Sequence, residues 1–64
     1  MNIVYLQLGS NLGDRKGMIS NAIRAISEHV GNIFICSKIY ESNAWGVDGQ
    51  SNYLNQIIGI KTIL

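Results

Sequence analysis

Residues 2–14 read NIVYLQLGSNLGD. The first seven are rich in β-branched and aromatic side chains and have apolar residues on both faces, which predicts a strand in the interior of a sheet. The segment from Gly9 to Asp14 is rich in turn-forming residues: its glycines allow positive φ, and Asp14 can cap a helix. This stretch therefore predicts a strand, a tight turn and the start of a helix.

The helix is predicted by the spacing of apolar residues after this turn. From Met18 to Val30 they recur at intervals of three and four, and charged and polar residues occupy the other face. Gly31 stands where a helix commonly ends. We expect a helix of about 16 residues that begins near Asp14.

Two more apolar runs, residues 33–40 and 53–62, predict a second and a third strand separated by a long loop, residues 41–52. The helical crossover makes the first two strands parallel. The hairpin makes the third strand antiparallel to them and places it most simply between them. We therefore predict an α/β (α+β) fold that is the β-α-β-β half of a ferredoxin-like domain, with strand order 1-3-2.

Length and composition limit the class of protein. The chain has 64 residues, 47% of them hydrophobic, and one cysteine. A chain of this size buries only about 60% of its unfolded surface, which is near the lower limit for an independent domain. A single cysteine excludes an internal disulfide, and Cys36 is expected to be a buried, inert thiol because it alternates with Phe34 on a predicted strand.

Charge and hydropathy disfavour two kinds of partner. The net charge is +1 and the five cations are scattered, so we expect no nucleic-acid partner. No apolar run approaches the roughly 20 residues of a membrane span, so we expect no membrane association. Residues 1–8 lack a basic leader, and we expect a cytoplasmic protein.

The chain is expected to need a further partner to complete its sheet. One helix covers only one face of three strands, and the chain stops just after a strand at Ile63 and Leu64. Unpaired strand edges and apolar faces favour association. We expect either a homodimer or association with a missing C-terminal half.

Two loops are candidate functional segments. The turn before the predicted helix could hold an anion, but it lacks the G-x-x-x-x-G-K-[ST] pattern, and we favour simple turn geometry and capping. The loop 41–52 carries Trp45, and Asn43 and Asn55 lie nearby in sequence. An indole with amide groups suits a planar heteroaromatic ligand that has an amide-like edge. The alternative is that Trp45 folds back over a small core.

Three segments resemble the N-terminal part of the 6-hydroxymethyl-7,8-dihydropterin pyrophosphokinase family. They are VYLQLGSNLGDR at residues 4–15, SKIYES at residues 37–42 and NYLNQ at residues 52–56. The resemblance runs over essentially the whole chain without gaps. It implies a ferredoxin-like transferase of folate biosynthesis that moves the diphosphate of ATP onto the hydroxymethyl group of a reduced pterin.

The resemblance also implies roles for particular residues. The family's pterin-binding positions correspond here to Ser42, Asn43, Trp45, Tyr53 and Asn55. The family uses Mg²⁺, and ATP as co-substrate, but the residues that bind them belong to a C-terminal half that is absent from this sequence. The resemblance therefore predicts that residues 1–64 are the N-terminal half of the domain, inactive alone and without catalytic or metal-binding residues. The alternative is a non-catalytic β-α-β-β module that self-associates to complete its sheet.

Overall fold

The computed structural model describes residues 1–43 and 51–64, so Trp45 lies outside the described residues. The prediction of a small chain of mixed α and β structure is confirmed. Within these described residues, one helix and four strands follow each other as β1 (Asn2–Ser10), α1 (Arg15–His29), β2 (Asn32–Cys36), β3 (Tyr40–Ser42) and β4 (Tyr53–Thr62). No helix in the described part of the chain is long and apolar enough to cross a membrane.

The last strand, β4, lies at the centre of the sheet. β1 pairs antiparallel with β4 along its whole length, from Asn2 opposite Thr62 to Ser10 opposite Leu54. β2 and then β3 pair antiparallel with the other edge of β4, so the order is β1-β4-β2 with β3 as a further partner of β4. Consequently β1 and β2 run in the same direction, on either side of the segment predicted as the third strand.

The predicted second strand, residues 33–40, is two strands in the structure, so the prediction of three strands ordered 1-3-2 is wrong in number. Ser37 interrupts the pairing. Its hydroxyl accepts a 2.8 Å hydrogen bond from the backbone N–H of Ile57, and its own N–H donates to the Ile57 carbonyl at 2.8 Å. The Ser37 hydroxyl thus accepts the hydrogen bond from the Ile57 N–H that a backbone carbonyl would accept in regular strand pairing. Regular pairing with β4 resumes only at Tyr40.

Two predicted positions in the sheet are also wrong. Among the described residues β1 lies at an edge of the sheet, because it pairs with β4 alone. Cys36 is exposed, because β2 is also an outer strand and ends at this residue. β1 therefore has apolar residues on both faces although only one face packs against α1, and its other face is exposed to solvent.

The core lies between α1 and one face of β4. Every second residue of β4 points to the helix, and Ile58 and Ile60 there are 0% and 1% exposed. Ile19 of α1 packs from the other side and is 2% exposed. Burying an aliphatic side chain of this size contributes about 1.5–3 kcal/mol, so these three residues supply much of the stability of so small a chain.

Local signals at the start of the helix are confirmed. The Asp14 carboxylate accepts a 3.0 Å hydrogen bond from the backbone N–H of Gly17, which makes Asp14 the N-cap. Gly13 has φ of 61°, a left-handed conformation that glycine adopts without strain. The turn before α1 therefore has the capping geometry predicted for it.

The second face of the sheet carries exposed apolar side chains. The rings of Tyr5 and Phe34 meet edge to face over Gly59, with centroids 6.1 Å apart and an interplanar angle of 67°. The Lys61 ammonium nitrogen lies 5.5 Å from the Phe34 centroid. We call this surface the open face. Its apolar members are Ile3, Tyr5, Phe34, Ile35 and Ile57, which are 40–64% exposed.

Candidate site around Asn55

Asn55 is a buried amide at one end of the sheet, 5% exposed and opposite Gly9 of β1 and Tyr40 of β3. Its side-chain nitrogen donates to the Ser42 hydroxyl at 2.8 Å and to the Tyr40 carbonyl at 3.4 Å. A carbonyl oxygen can only accept, so the NH₂ group of the amide must face β3. The amide oxygen of Asn55 is therefore directed to the Gly9 side.

Gly9, which has no side chain, lies beside this amide. A Cβ atom built on Gly9 would lie 3.0 Å from the amide oxygen of Asn55 and 3.8 Å from Cδ1 of Tyr53. The missing side chain lets the amide oxygen of Asn55 lie close to the backbone of Gly9, next to the Tyr53 ring, which is 37% exposed. An amide beside a partly exposed aromatic ring is a combination that suits a flat ligand with polar groups along its edge.

Three of the five residues expected to bind a ligand lie together. Ser42 ends β3 directly opposite Tyr53, which begins β4, and Asn55 follows two residues later on the same face. Asn43 is exposed and is the next residue after β3. The prediction for Trp45 falls outside the described residues.

Sequence reasoning missed three contributors to this site. The sequence pattern indicates Gly9 only as a turn residue, and it does not indicate the Tyr40 carbonyl. Arg15 donates through Nη1 to the Asn52 carbonyl at 2.8 Å, which ties the start of α1 to the residue before β4. The pairing of β1 with β4 would have identified Gly9, because that register places it opposite Asn55.

The carboxylates of the described residues do not fit a magnesium site. Asp14 caps α1 at one end, Glu28 lies in its last turn and Glu41 lies on β3. Within residues 1–43 and 51–64 no three side chains of histidine, cysteine, aspartate or glutamate lie close enough to hold a metal ion. Magnesium requires an octahedral set of oxygen ligands, so we assign no step to a metal held by these residues.

Comparison with known families identifies the chain. The family model described as 7,8-dihydro-6-hydroxymethylpterin-pyrophosphokinase matches residues 5–64. The chain belongs to this pyrophosphokinase family. The matched range includes Gly9, Ser42, Tyr53 and Asn55, and the resemblance predicted from the three sequence segments is confirmed. Membership of an enzyme family does not favour a non-catalytic module as the function of this chain.

Members of the pyrophosphokinase family align with essentially all of this chain. The Aquifex aeolicus protein named 2-amino-4-hydroxy-6-hydroxymethyldihydropteridine pyrophosphokinase is 47% identical over 64 residues, which are 100% of this chain and 39% of that protein. Proteins of the same name from Porphyromonas gingivalis and Bacillus subtilis are 39% and 38% identical; the matches cover 100% and 98% of this chain and 44% and 38% of those proteins. The chain thus spans less than half the length of these curated relatives.

Proposed function

We propose that this chain supplies the pterin-binding part of an enzyme that transfers the diphosphate of ATP to 6-hydroxymethyl-7,8-dihydropterin in folate biosynthesis. Family membership and the names of the relatives support this reaction. In this proposal residues 1–64 are the N-terminal half of a ferredoxin-like domain. In this proposal, the residues that bind ATP and Mg²⁺ lie in the part of the relatives that this chain does not span. The cytoplasmic location expected from the sequence stays a prediction.

The observation that carries the proposal is that the Asn55 amide and the partly exposed Tyr53 ring lie side by side next to Gly9. A pterin is a planar heteroaromatic ring with N–H and C=O groups along one edge. The Tyr53 ring offers a flat apolar contact, and the Asn55 amide offers a polar contact in the plane of such a ligand. Ser42 lies beside Asn55, and we propose that Asn43 and Trp45 complete the set of pterin-binding residues.

The proposed contribution of these residues to the reaction is binding and orientation. Diphosphate transfer requires the attacking hydroxymethyl oxygen to lie in line with the bond that breaks, so much of the catalysis comes from positioning. A pterin held at its edge by Asn55 and across its face by Tyr53 keeps one orientation of its hydroxymethyl group. No residue described here is proposed to transfer a proton or to contact the phosphates.

A fluorescence titration tests the proposed function. We expect 6-hydroxymethylpterin to bind the 64-residue chain saturably, and Asn55→Ala to weaken binding about tenfold because a buried hydrogen bond to the ligand is lost. The matched control is Asn21→Ala, which removes an exposed amide on α1 and should leave the affinity unchanged. Equal affinity of the Asn55→Ala variant and the wild type, or no saturable binding, would contradict the proposal.

We further propose that the open face is an association surface. In the complete enzyme it is covered by the part of the relatives that this chain does not span, and in the isolated chain a second copy takes that place. The support is the number of apolar side chains left exposed on one surface, including Tyr5 at 64% and Ile35 at 55%. Contiguous apolar patches of this kind mark protein–protein contacts.

Sedimentation velocity at micromolar concentration tests this association. We expect the chain to sediment as a dimer, and Ile35→Lys to convert it to a 7.1 kDa monomer because a buried charge without a partner disfavours the interface. Leu12→Lys is the control, since Leu12 is 74% exposed but lies in the turn between β1 and α1 and not on a strand. A wild-type chain that sediments as a 7.1 kDa monomer would refute self-association.

A further inference from the structure

We infer that Ser37 is a positioning residue of the candidate site: its hydroxyl holds β3 in the register that places Ser42 beside Asn55. The inference deepens the proposed function and rests on it wherever a ligand is involved. Ser37 itself lies outside the candidate site, between the end of β2 and the start of β3. It acts through the strand that follows it, and it decides which side chains of that strand reach the site.

The segment between β2 and β3 contains one residue more than regular pairing with β4 accommodates. β2 ends with Cys36 opposite Ile58, and β3 begins with Tyr40 opposite Asn55. The outer chain thus advances four residues, from 36 to 40, while β4 advances three, from 58 to 55. An extra residue in one of two paired strands is a β-bulge. It moves β3 by one residue relative to the register in which β2 ends.

This shift decides which side chains of β3 share a face with Asn55. Residues directly opposite each other in a sheet project from the same face. A chain that continued in the register of β2 would place Ile39 opposite Asn55 and Glu41 opposite Tyr53, with Ser42 on the face where α1 packs. In the observed register Ser42 lies opposite Tyr53, and its hydroxyl is 2.8 Å from the Asn55 nitrogen. The shift therefore keeps a carboxylate away from the site and brings a hydroxyl to it.

Ser37 holds the shift through its hydrogen bonds with β4. Its N–H donates to the Ile57 carbonyl at 2.8 Å, as in a regular antiparallel pair. The Ile57 N–H, however, donates to the Ser37 hydroxyl at 2.8 Å instead of to the Ser37 carbonyl. That carbonyl accepts a 2.8 Å hydrogen bond from Nε2 of Gln56. The hydroxyl thus replaces the carbonyl of its own residue, and the chain can leave regular pairing at this point.

Without the hydroxyl, regular pairing becomes the more favourable arrangement. An Ile57 N–H that loses its acceptor can recover one from the Ser37 carbonyl, which is the acceptor in the register of β2. The hydroxyl also donates to the Lys38 carbonyl at 2.8 Å, so its loss removes a second hydrogen bond within the segment that holds the extra residue. We therefore expect Ser37→Ala to shift β3 by one residue, and Ser37→Thr, which keeps the hydroxyl, to leave β3 in place.

NMR of the chain without ligand tests the register. In the wild type and in Ser37→Thr, NOEs between backbone protons should connect Ser42 to Tyr53. In Ser37→Ala they should connect Glu41 to Tyr53 instead. The matched control is Ser20→Ala, which removes an exposed hydroxyl on α1 and should keep the wild-type NOEs. Wild-type NOEs in Ser37→Ala would overturn the inference.

Deletion of Lys38 gives a test that a purely stabilising role of Ser37 would not pass. With one residue removed, regular pairing continued from β2 places Ser42 opposite Tyr53 without any shift. Adding the deletion to Ser37→Ala should therefore restore the NOEs between Ser42 and Tyr53. If Ser37→Ala does not fold alone, the deletion should restore folding. A double variant that lacks these NOEs, or that stays unfolded, would contradict the inference.

Fluorescence titration with 6-hydroxymethylpterin connects the register to the site. Ser37→Ala should bind about tenfold more weakly, because the Ser42 hydroxyl leaves Asn55 and the Glu41 carboxylate moves to that face. Ser37→Thr, and Ser37→Ala with Lys38 deleted, should bind within about twofold of the wild type. Wild-type affinity in a Ser37→Ala chain with shifted β3 would refute the positioning role. If the wild type binds no pterin, the proposed function fails, whereas the NOEs of the ligand-free variants still decide whether Ser37 sets the register.

Discussion

Replacing Ile58 with alanine is expected to lower the free energy of unfolding by about 2–5 kcal/mol. Ile58 is fully buried on the central strand, where it faces α1 and pairs with Leu6 on one side and Cys36 on the other. Truncation of Ile58 to alanine leaves a cavity, and this cavity can be filled only if the strands on both sides of β4 move. A 64-residue chain has a total stability of about 3–10 kcal/mol, so this one change removes a large part of it.

Urea denaturation followed by circular dichroism measures this loss, and the next residue supplies the control. Ile57 has the same side chain on the same strand but lies on the open face, 40% exposed. Ile57→Ala should cost about 1 kcal/mol or less, because it creates no enclosed cavity. Both variants should be compared at one protein concentration, since self-association would add to the stability. Equal losses for the two variants would show that the core is not where the structure has it.

Replacing Gly31 with alanine is expected to give the second large loss, about 3 kcal/mol, at the upper end of the range for overpacking. A Cβ on Gly31 would overlap the carbonyl oxygen of Lys61 and would lie 2.9 Å from Cβ of Thr62. The overlapping atom belongs to the backbone of the central strand, so it cannot rotate away as a side chain would. The chain between α1 and β2 would have to move off β4.

The melting temperature measures the effect of Gly31→Ala. A loss of this size corresponds to a decrease of more than 10 °C, since about 1 kcal/mol shifts the midpoint of a small domain by roughly 4–8 °C. Gly13→Asn is the control: a Cβ there meets nothing within 4 Å, and asparagine tolerates the φ of 61°. A Gly31→Ala variant that melts like the wild type would contradict the close approach of this turn to β4.

The helix shows how far local sequence signals reach. The apolar spacing and the Asp14 cap predict α1 almost to the residue, because each signal involves neighbours within one or two turns. Gly31 was predicted to end the helix, and α1 does end just before it, at His29. Its need for glycine, however, comes from the carbonyl of Lys61, which is distant in sequence. No local pattern contains that contact.

The strands show where prediction from sequence stops. The apolar run of residues 33–40 does not indicate that Ser37 accepts a hydrogen bond from Ile57. This hydrogen bond interrupts the pairing, so the run forms two strands instead of one. An edge strand and an interior strand can carry the same side chains, as β1 does, because the open face stays apolar without being covered. Alternation of side chains specifies which residues share a face, but not which strand lies alongside.

For the candidate site, the sequence by itself determined the residue types and, through the matched segments, the family. It could not show that Gly9 and Asn55 face each other, nor that Ser42 holds the amide in one orientation. Those relations depend on the register of β1 and β3 against β4, and a shift of one residue would put each side chain on the other face of the sheet. The packing of α1 on one face of β4 favours that register, because it buries Ile58 and Ile60 and leaves Asn55 on the opposite side.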